Sequence, residues 1–364
     1  MRRTLVLANH FNTLRIFRRE LLIELCKRED EVIVVFPKCE DEYKEQIESY
    51  GCKIEFLGID RKGLNPIKDV KLLFAYLKLL SEYKPNKILT YTIKCNIYGG
   101  ISARIKHIPY FSNITGLGTT FQNEGIVKKI VVSLYKFALK KSKTVFFQNS
   151  DNYKVFIDNK IIKESQAEIT AGSGVNLSDF AFNKYPLEEN GIRFLYVGRV
   201  MQEKGMDELF YVIDKVCNKR KEVKFEIVGW YEGEYEQKVK EYEQKGYLKF
   251  NSFHLDVKPF YQKCHCLIHP SWHEGMANTL LEAASVGRPL IATDICGCKE
   301  AIENGVNGYT FTKLDKEDLL RKVNMFLDLD EKTRENMGVL SRKRMEQIFD
   351  KNKVVSQMIS KIYN

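Results

Sequence analysis

Short runs of β-branched and aliphatic residues alternate with amphipathic helical stretches along the whole chain. In the first half, these runs predict buried strands at 4–8, 32–36, 54–57, 88–92 and 145–147. Between them, apolar residues recur at helical spacing, most clearly at 18–27 and 69–82. This alternation is typical of a parallel sheet that carries helices on both faces.

The pattern begins again after the glycine-containing, turn-rich stretch 171–176. The second set of predicted strands is 193–197, 223–228, 248–250, 266–269 and 290–293. Because a chain of 364 residues is long for one hydrophobic core, we predict two doubly wound, Rossmann-like α/β domains at 1–178 and 179–348. A cleft between them would be lined by the carboxyl ends of strands, where open α/β sheets bind ligands.

Composition narrows the class of protein. Hydrophobic residues make up 44% of the chain and charged residues 29%, which is typical of a folded protein rather than a disordered one. No run of eighteen apolar residues occurs, and the N-terminus leads directly into the first predicted strand without a signal pattern. We therefore expect a cytoplasmic protein. Its nine cysteines lack the spacing of zinc ligands, so we expect reduced thiols and no metal site.

The positive charge is concentrated in the first half of the chain. Residues 1–170 contain 29 Lys and Arg against 19 Asp and Glu, which equals the net charge of +10 of the whole chain. A basic surface suits phosphates, whether on nucleic acid, on a membrane surface or on a phosphorylated substrate. A solvated, lysine-rich surface is the alternative explanation.

A strand, a loop and a helix follow one another within 270–283. The loop carries Glu274 and Gly275, and the helix is predicted to begin at about Ala277 or Asn278. Glycine lets the backbone approach a ligand closely, and the first turn of a helix favours a diphosphate. Glu274 can accept hydrogen bonds from sugar hydroxyls, and Glu282, further along the helix, can bind a vicinal diol such as ribose. A loop with one glutamate before a helix is common, so other functions remain open on this motif alone.

Two cations follow the predicted strand 193–197. Gly198 and Arg199 come directly after it, and Lys204 lies five residues further on. Arginine can bind two phosphate oxygens at once, and lysine adds a point charge. Together they can neutralise the charge that grows on a departing nucleoside diphosphate, so the reaction would need no metal. Either residue alone is equally well explained as a surface side chain.

Further segments at 287–294, 297–302 and 304–309 complete a pattern that begins with the two motifs above. In order and spacing, the residues from 190 to 312 resemble glycosyltransferase family 4. The resemblance implies a GT-B fold, in which two Rossmann-like domains face a cleft. It also implies that a C-terminal helix, 349–364, crosses back onto the first domain.

The resemblance also implies the roles of individual residues. The second domain would hold a nucleotide sugar, which we expect to be UDP-linked, with Arg199 and Lys204 at the diphosphate and Glu274 at the donor sugar. These three are the predicted catalytic residues. Glu282 would bind the ribose, and His254 would border the uracil. The remaining predicted donor contacts are Gly198, Gly275, Met276, Ala277 and Asn278. Such enzymes retain the anomeric configuration and use no metal or other cofactor.

The first domain resembles the bacterial branch that extends polyprenyl-diphosphate-linked glycans for capsule, O-antigen or N-linked oligosaccharide. The resembling segments are Phe17-Arg18, Lys94-Cys95-Asn96 with Gly99, and 114–118. This resemblance implies acceptor contacts from Arg18, Lys94, Asn96, Gly116 and Gly118. The first loop, 9–13, differs because it lacks the glycine with which many relatives approach the donor phosphate.

A helix predicted at 126–143 combines apolar and basic residues. Its apolar positions are Val127, Ile130, Val131, Leu134, Phe137 and Ala138. Its lysines are Lys128, Lys129, Lys136, Lys140, Lys141 and Lys143. We expect the apolar face to pack on the core rather than to enter a membrane. Lysines near an anionic bilayer gain about 1 kcal/mol each, so we expect peripheral attachment at the inner face of the cytoplasmic membrane, and no binding of nucleic acid.

Two other features imitate functional motifs. Asp328-Leu329-Asp330 resembles the Asp-x-Asp metal motif of the other main glycosyltransferase architecture, but at a helix end we expect it to be solvated. His107 is expected to be a surface residue rather than a catalytic base.

Three other functions compete with glycosyl transfer. A non-hydrolysing UDP-sugar 2-epimerase shares the GT-B architecture, but no acid and base set for epimerisation can be assembled here. A non-catalytic module that binds sugar nucleotides is the second. A dinucleotide-dependent oxidoreductase would need Gly-x-Gly-x-x-Gly after a strand, which neither 6–12 nor 197–204 supplies.

Overall fold

The computed structural model describes residues 2–29, 31–59, 65–117, 121, 125–189 and 191–364. The chain forms two compact units, unit 1 (Met1–Ser173 and Asn352–Asn364) and unit 2 (Gly174–Lys351). The chain therefore changes unit at 173/174 and 351/352, whereas the sequence predicted 178/179 and 348/349.

Unit 1 contains a seven-stranded sheet in which every described pair of strands is parallel. Its strands are β1 (Arg3–Leu7), β2 (Glu31–Phe36), β3 (Lys53–Phe56), β4 (Lys87–Tyr91), β5 (Tyr110–Ile114), β6 (Thr144–Phe147) and β7 (Ala167–Ile169). The helices that connect them are α1 (Phe11–Arg15), α2 (Arg19–Cys26), α3 (Asp41–Glu48), α4 (Pro66–Tyr83), α5 (Gly100–Ile105), α6 (Ile126–Leu139) and α7 (Ser150–Asp158). A π-helical turn, Cys95–Gly99, leads into α5.

Unit 2 contains a six-stranded sheet of the same kind. Its strands are β8 (Arg193–Val200), β9 (Lys224–Tyr231), β10 (Leu248–Asn251), β11 (Cys266–His269), β12 (Leu290–Thr293) and β13 (Gly308–Phe311). Its helices are α8 (Met206–Lys219), α9 (Glu236–Gln244), α10 (Lys258–Lys263), α11 (Asn278–Ser285), α12 (Lys316–Leu327) and α13 (Glu331–Arg344). The last helix of the chain is α14 (Lys351–Tyr363).

The strand orders are β3-β2-β1-β4-β5-β6-β7 and β10-β9-β8-β11-β12-β13. In each sheet, the chain first adds strands outward on one side of the first strand and then adds the others outward on its other side. The strand order therefore reverses between β1 and β4 and between β8 and β11. This is the doubly wound, Rossmann-like arrangement. It confirms the predicted fold class for both halves of the chain.

The sheet of unit 1 is buried on both faces. Leu5 and Leu7 of β1 point into one apolar core, and Val6 points into the other, as the two-residue period of a strand requires. The second core also takes an apolar face of α14, which consists of Val354, Val355, Met358, Ile359 and Ile362. The C-terminal helix therefore packs on the first domain, as predicted.

The sequence analysis missed the strands β5, β7 and β13. β5 carries two polar residues, Ser112 and Asn113, at its centre, and both are buried. Its pattern therefore lacks the continuous apolar run that marks the other central strands of the sheet. β7 is only three residues long and lies at the edge of the sheet.

The two chain crossings between the units are hydrogen-bonded to each other. The Val175 amide donates to the Phe349 carbonyl at 2.8 Å, and the Lys351 amide donates to the Val175 carbonyl at 3.0 Å. Gly174 has a φ of +67°, and a Cβ there would lie 2.6 Å from the Lys351 Cα. These pairings explain why both boundaries differ by a few residues from the predicted ones.

We predict that Gly174→Ala lowers the free energy of unfolding by about 1–3 kcal/mol, because the new Cβ meets backbone at a positive φ. Calorimetric unfolding of both proteins measures the loss. Gly58→Ala is the matched control, since a Cβ there meets nothing within 4 Å. Equal unfolding temperatures for the two variants would contradict the prediction.

Candidate active site

The candidate site lies in unit 2, where the strand order reverses between β8 and β11. β8 ends at Val200, a short turn spans Gln202–Lys204, and α8 follows Gly205. β11 ends at His269, and the loop 270–277 leads to α11. Ligands of doubly wound sheets bind outside the carboxyl ends of the strands at this position.

The loops after β8 and β11 are fixed to each other. Gly205 has a φ of +72°, and a Cβ there would lie 2.1 Å from the Pro270 carbonyl oxygen, so only glycine allows this close approach. The Trp272 amide donates to the Glu203 carbonyl at 2.9 Å. The indole of Trp272 donates to the Glu208 carboxylate at 3.1 Å, which ties the second loop to α8.

An ion pair joins the two loops at their centre. The Lys204 ammonium contacts the Glu274 carboxylate and lies 3.4 Å from the Ser271 hydroxyl oxygen. The same carboxylate oxygen lies 2.9 Å from His269 Nε2. Burial favours the neutral acid, but Lys204 and His269 outweigh it and hold the pKa of Glu274 well below its usual range. Glu274 is therefore ionised at neutral pH.

The structure thus brings together two predicted residues, Lys204 and Glu274, that lie 70 positions apart in the chain. It also adds two that the sequence analysis missed. Ser271 and His269 flank the pair, and His269 Nδ1 lies 3.4 Å from the Thr279 hydroxyl oxygen near the start of α11. The available signal was a histidine at the end of a buried strand, directly before the loop.

Arg199 has a different ion-pair partner. Its guanidinium contacts the Glu232 carboxylate at 2.7 Å, and both side chains are partly exposed. The Arg199 carbonyl accepts a hydrogen bond from the Tyr196 hydroxyl at 2.6 Å, which fixes the backbone here. Glu232 follows β9 and was not predicted. Partly exposed ion pairs contribute little to stability, so the guanidinium can exchange Glu232 for a phosphate at small cost.

The loop before α11 is hydrogen-bonded to the segment that follows β12. α11 begins at Asn278, as predicted, with Ala277 as its N-cap. The Ala277 amide donates to the Gly297 carbonyl at 2.8 Å, and a Cβ on Gly297 would lie 2.8 Å from the Gly275 carbonyl oxygen. The Ala277 amide is therefore already bonded within the protein. The predicted donor contact of Ala277 therefore could not use this amide while that bond is present, and the side chain of its neighbour Met276 is buried.

Glu282 lies one turn into α11. Its carboxylate accepts a hydrogen bond from the Tyr261 hydroxyl at 2.8 Å. Burial raises the pKa of Glu282 to about 7, although Tyr261 and Lys351 act in the opposite direction. The acid therefore changes its charge near neutral pH, in contrast to Glu274.

His254 lies in the loop after β10, where its ring is 5.0 Å from that of Phe260. The neighbouring Phe253 contacts Trp230 edge to face at 5.6 Å, and both rings are about half exposed. Trp230 pairs with Arg199 in the register of β8 and β9. Exposed aromatic rings can stack on a base. The sequence analysis did not single out either ring.

In unit 1, the predicted acceptor residue Arg18 is buried, with 4% of its surface exposed. Its guanidinium lies over the Tyr91 ring at 5.0 Å and donates to the Phe17 carbonyl at 3.2 Å. Burial lowers the pKa of Arg18. No carboxylate contacts it among the residues that the structure describes.

Lys94 and Asn96 have structural partners instead. The Lys94 ammonium donates to Asp69 at 2.9 Å, with both side chains buried, beside a cavity of about 520 Å³. The Asn96 amide accepts from the Thr90 hydroxyl at 2.7 Å and donates to the Asn113 carbonyl at 2.9 Å. Both polar atoms of the Asn96 side chain thus bond inside the domain, and its contact with an acceptor stays a prediction.

The two glycines of the predicted acceptor loop are Gly116 and Gly118. A Cβ on Gly116 would meet nothing within 4 Å, so close packing does not require glycine there. Gly118 lies outside the described residues.

The imitating motifs are structural, as predicted. Asp328 ends α12 and pairs with Arg220 at 2.5 Å, and Asp330 caps α13 through the Thr333 amide at 2.7 Å. His107 lies in an exposed turn. All nine cysteines are free thiols.

The described part of the chain shows neither a metal-binding cluster nor a membrane-spanning helix. Within the described ranges, no three His, Cys, Asp or Glu side chains are grouped so that they could hold a metal ion. Over the same ranges, no helix has both the length and the apolar character needed to span a membrane.

The chain matches two known families and several curated relatives. Residues 178–344 match "Glycosyl transferases group 1", and residues 4–149 match "Glycosyl transferase 4-like". Over 365 residues, the chain is 28% identical to the N,N'-diacetylbacillosaminyl-diphospho-undecaprenol alpha-1,3-N-acetylgalactosaminyltransferase of Campylobacter jejuni, covering 96% of this chain and 94% of that protein. Over 270 residues, it is 27% identical to the UDP-Gal:alpha-D-GlcNAc-diphosphoundecaprenol alpha-1,3-galactosyltransferase of Escherichia coli, with 68% of each covered.

Solved structures share the fold. The Anabaena protein Alr3699/HepE in complex with UDP and glucose has a TM-score of 0.81 at 17% identity, over the whole of both chains. Sucrose-phosphate synthase from Thermosynechococcus elongatus has a TM-score of 0.78 at 17% identity, covering 100% of this chain and 98% of that one. With both halves matched to glycosyltransferase families and the doubly wound fold in each unit, the chain belongs to glycosyltransferase family 4, has the GT-B fold and is a hexosyltransferase.

Proposed function

We propose that this enzyme transfers a hexose or an N-acetylhexosamine from a UDP-sugar to a polyprenyl-diphosphate-linked glycan, with retention and without a metal ion. The proposal depends above all on the partly buried Lys204–Glu274 pair at the point where the strand order of unit 2 reverses. One charge of this pair suits the leaving diphosphate, and the other suits the hydroxyls of the donor sugar.

The two cations would stabilise the leaving group. Lys204 lies partly out of water, where a charge interacts more strongly than at the surface. Arg199 would release Glu232 and bind phosphate oxygens in its place. Because negative charge on the diphosphate grows only as the glycosidic bond breaks, both contacts favour the transition state over the bound substrate.

Glu274 would orient the donor sugar. Its low pKa keeps it a hydrogen-bond acceptor throughout the physiological range. Lys204 and His269 contact one and the same oxygen of its carboxylate, which fixes the group before any sugar arrives. A fixed acceptor favours one orientation of the sugar hydroxyls.

The nucleoside half of the donor would lie along α11 and the ends of β9 and β10. Glu282 would accept hydrogen bonds from the ribose hydroxyls, and the half-exposed Trp230 and Phe253 would border the base together with His254. The Anabaena neighbour, whose fold is similar, is described with UDP and glucose bound.

The names of two relatives support the acceptor and the stereochemistry. Both the Campylobacter and the Escherichia enzymes act on sugars linked to undecaprenol through a diphosphate, and both names state an alpha-1,3 linkage. An α-linked product from the usual α-linked UDP-sugar corresponds to retention. Such an acceptor would place the reaction on the cytoplasmic face of the membrane, where the net charge of +10 in residues 1–170 favours anionic lipid.

In the assay of this function, purified protein is incubated with single UDP-sugars and a synthetic polyprenyl-diphosphate-GlcNAc. We expect transfer with one hexose or N-acetylhexosamine donor, an α anomer in the product, and unchanged turnover in EDTA, because Arg199 and Lys204 replace the cation. Loss of turnover that manganese or magnesium restores would rule out the metal-free mechanism. Conversion of a UDP-sugar without any acceptor would indicate an epimerase instead.

We expect Lys204→Met and Arg199→Met each to lower kcat by about 100- to 1,000-fold, with little change in the KM for the acceptor. Steady-state kinetics of both substrates separate the two constants. Lys240→Met, which removes a lysine of an exposed pair on α9, is the matched control. Turnover like that of the control in either variant would mean that the loop after β8 does not contact the diphosphate.

We predict that the affinity for the UDP-sugar rises with pH around 7. If the ribose bonds to ionised Glu282, whose pKa is about 7, the dissociation constant should increase by up to about tenfold per pH unit as pH falls below 7. Calorimetric titration between pH 6 and 8 measures this, since a UDP-sugar does not change charge there. Glu282→Gln should remove the slope, and Glu236→Gln on the exposed α9 should keep it. The same slope in Glu282→Gln as in the wild type would exclude the ribose contact.

A further inference from the structure

Three neighbouring helices cover one face of the unit 1 sheet. α4, α5 and α6 all contribute to the same apolar core. The Ser102 hydroxyl of α5 lies 3.4 Å from the Leu73 carbonyl oxygen of α4, and the Arg104 guanidinium lies over the Phe137 ring of α6 at 4.3 Å. The outer sides of these helices therefore form one continuous layer, called the three-helix face below.

The outer side of α4 carries an apolar stripe. Ile67, Val70 and Phe74 are between 51% and 71% exposed. Their spacing of i, i+3 and i+7 puts them on one side of the helix. The opposite side, with Leu72, Tyr76, Leu79 and Leu80, is buried.

The outer side of α6 carries a second apolar stripe. It consists of Ile126, Val127, Ile130 and Phe137, which are between 47% and 77% exposed. The sequence analysis expected three of these four to pack on the core. The residues that do so are Val131, Val132, Tyr135, Ala138 and Leu139. The expectation was wrong because α6 has more apolar residues than one buried side of a helix can hold.

Basic residues surround both stripes. They are Lys68, Lys71 and Lys78 on α4, Arg104 and Lys106 at the end of α5, and Lys128, Lys129, Lys136, Lys140, Lys141 and Lys143 on and after α6. α5 and α6 contain no acidic residue. Of the two on α4, Asp69 is buried against Lys94, and Glu82 lies at the far end of the helix from the stripe.

The two stripes also lie near the ligand-binding edge of the sheet. α4 and α6 follow β3 and β5, so both helices start at the carboxyl ends of the strands. Ile67 and Ile126 belong to their first turns. Tyr91, whose ring lies under the Arg18 guanidinium, ends β4 at the same edge.

From these observations we propose that the three-helix face docks on an anionic bilayer, with the apolar side chains of α4 and α6 inserted at the boundary between headgroups and acyl chains. The surrounding lysines bind the anionic headgroups. This deepens the proposed function and rests on it, because a polyprenyl-linked acceptor has to be met at a membrane. Insertion adds a contribution that salt does not screen, whereas attraction through the lysines alone would disappear at high salt.

Charge argues for a bilayer rather than a second copy of this chain. A symmetric dimer places the same patch on both subunits, so the lysines of α6 would face lysines. Like charges across an interface cost free energy. Exposed apolar residues among cations, with no acidic residue on α5 or α6, instead match the composition of an interfacial membrane surface.

The test measures co-flotation with vesicles of phosphatidylcholine and phosphatidylglycerol at low and high salt. The apolar variant combines Phe74→Ser, Ile130→Ser and Phe137→Ser, and the basic variant changes Lys128, Lys129, Lys140 and Lys141 to Gln. The matched control removes three apolar residues of unit 2 that are between 38% and 64% exposed, with Leu187→Ser, Leu314→Ser and Met325→Ser. Changes at exposed positions such as these alter stability little, which thermal unfolding checks.

We expect the apolar variant to lose at least about tenfold in vesicle affinity at both salt concentrations, since two phenyl rings and the Ile130 side chain no longer enter the lipid. The basic variant should lose affinity mainly at low salt, and the control should bind like the wild type. In the Phe137→Trp variant, brominated lipid should quench the fluorescence of the new tryptophan. It should not quench that of the natural Trp230 and Trp272, which are both in unit 2.

Equal binding by the apolar variant and the wild type would overturn the proposal, as would equal binding to vesicles of phosphatidylcholine alone. A wild-type dimer that the apolar variant converts to monomer would assign the face to a second copy instead. Transfer to a short-chain, water-soluble acceptor separates this question from the proposed function. We expect the apolar variant to keep that activity. If neither the wild type nor any variant transferred sugar to the soluble acceptor, the proposed function would be refuted, while vesicle binding would still decide the docking.

Discussion

The candidate site depends on the close approach of two loops that follow neighbouring strands. Gly205 lies directly against the Pro270 carbonyl, and this contact puts Lys204 within reach of Glu274. Burying an ion pair costs solvation free energy, which its mutual attraction offsets only in good geometry. Removal of either partner would leave a charge without compensation. A ligand with an anionic group for Lys204 and hydrogen-bond donors for Glu274, such as the diphosphate and hydroxyls of a sugar nucleotide, would satisfy both partners.

The sequence pointed to Lys204 and Glu274, which meet at this site, but not to the residues that contact them or Arg199. Lys204 and Glu274 follow β8 and β11, and strands at the point of reversal are neighbours in every doubly wound sheet. Strand order alone therefore brings the two loops together. The contact between Arg199 and Glu232 instead depends on the register of β8 against β9. The contact of His269 with Glu274 depends on a local loop conformation that no periodicity reveals.

In unit 1, the resemblance pointed to residues at one edge of the sheet, and the structure shows which atoms they contact. Asn96 and Lys94 lie at the carboxyl edge of the sheet, yet their polar atoms bond to Thr90 and Asp69 inside the domain. A motif residue can be kept for folding as well as for binding, and only its hydrogen bonds distinguish the two. Arg18 is the opposite case. Its guanidinium is buried without a carboxylate partner among the described residues, which is costly to the fold, so the contact with an anionic acceptor stays a prediction.

Helical periodicity alone does not show that α4 and α6 carry exposed apolar stripes, whereas a count of the apolar residues around each helix does. A helix that packs on a sheet buries one side, and α6 fills that side with Val131, Tyr135 and their neighbours. Its further apolar residues, among them Ile126 and Phe137, then have no place in the core. A surplus of this kind on one helix is unremarkable, because single exposed apolar residues are normal. Repetition of the surplus on α4, on the same face of the sheet and among lysines, favours the proposed partner, which is apolar and negatively charged at once.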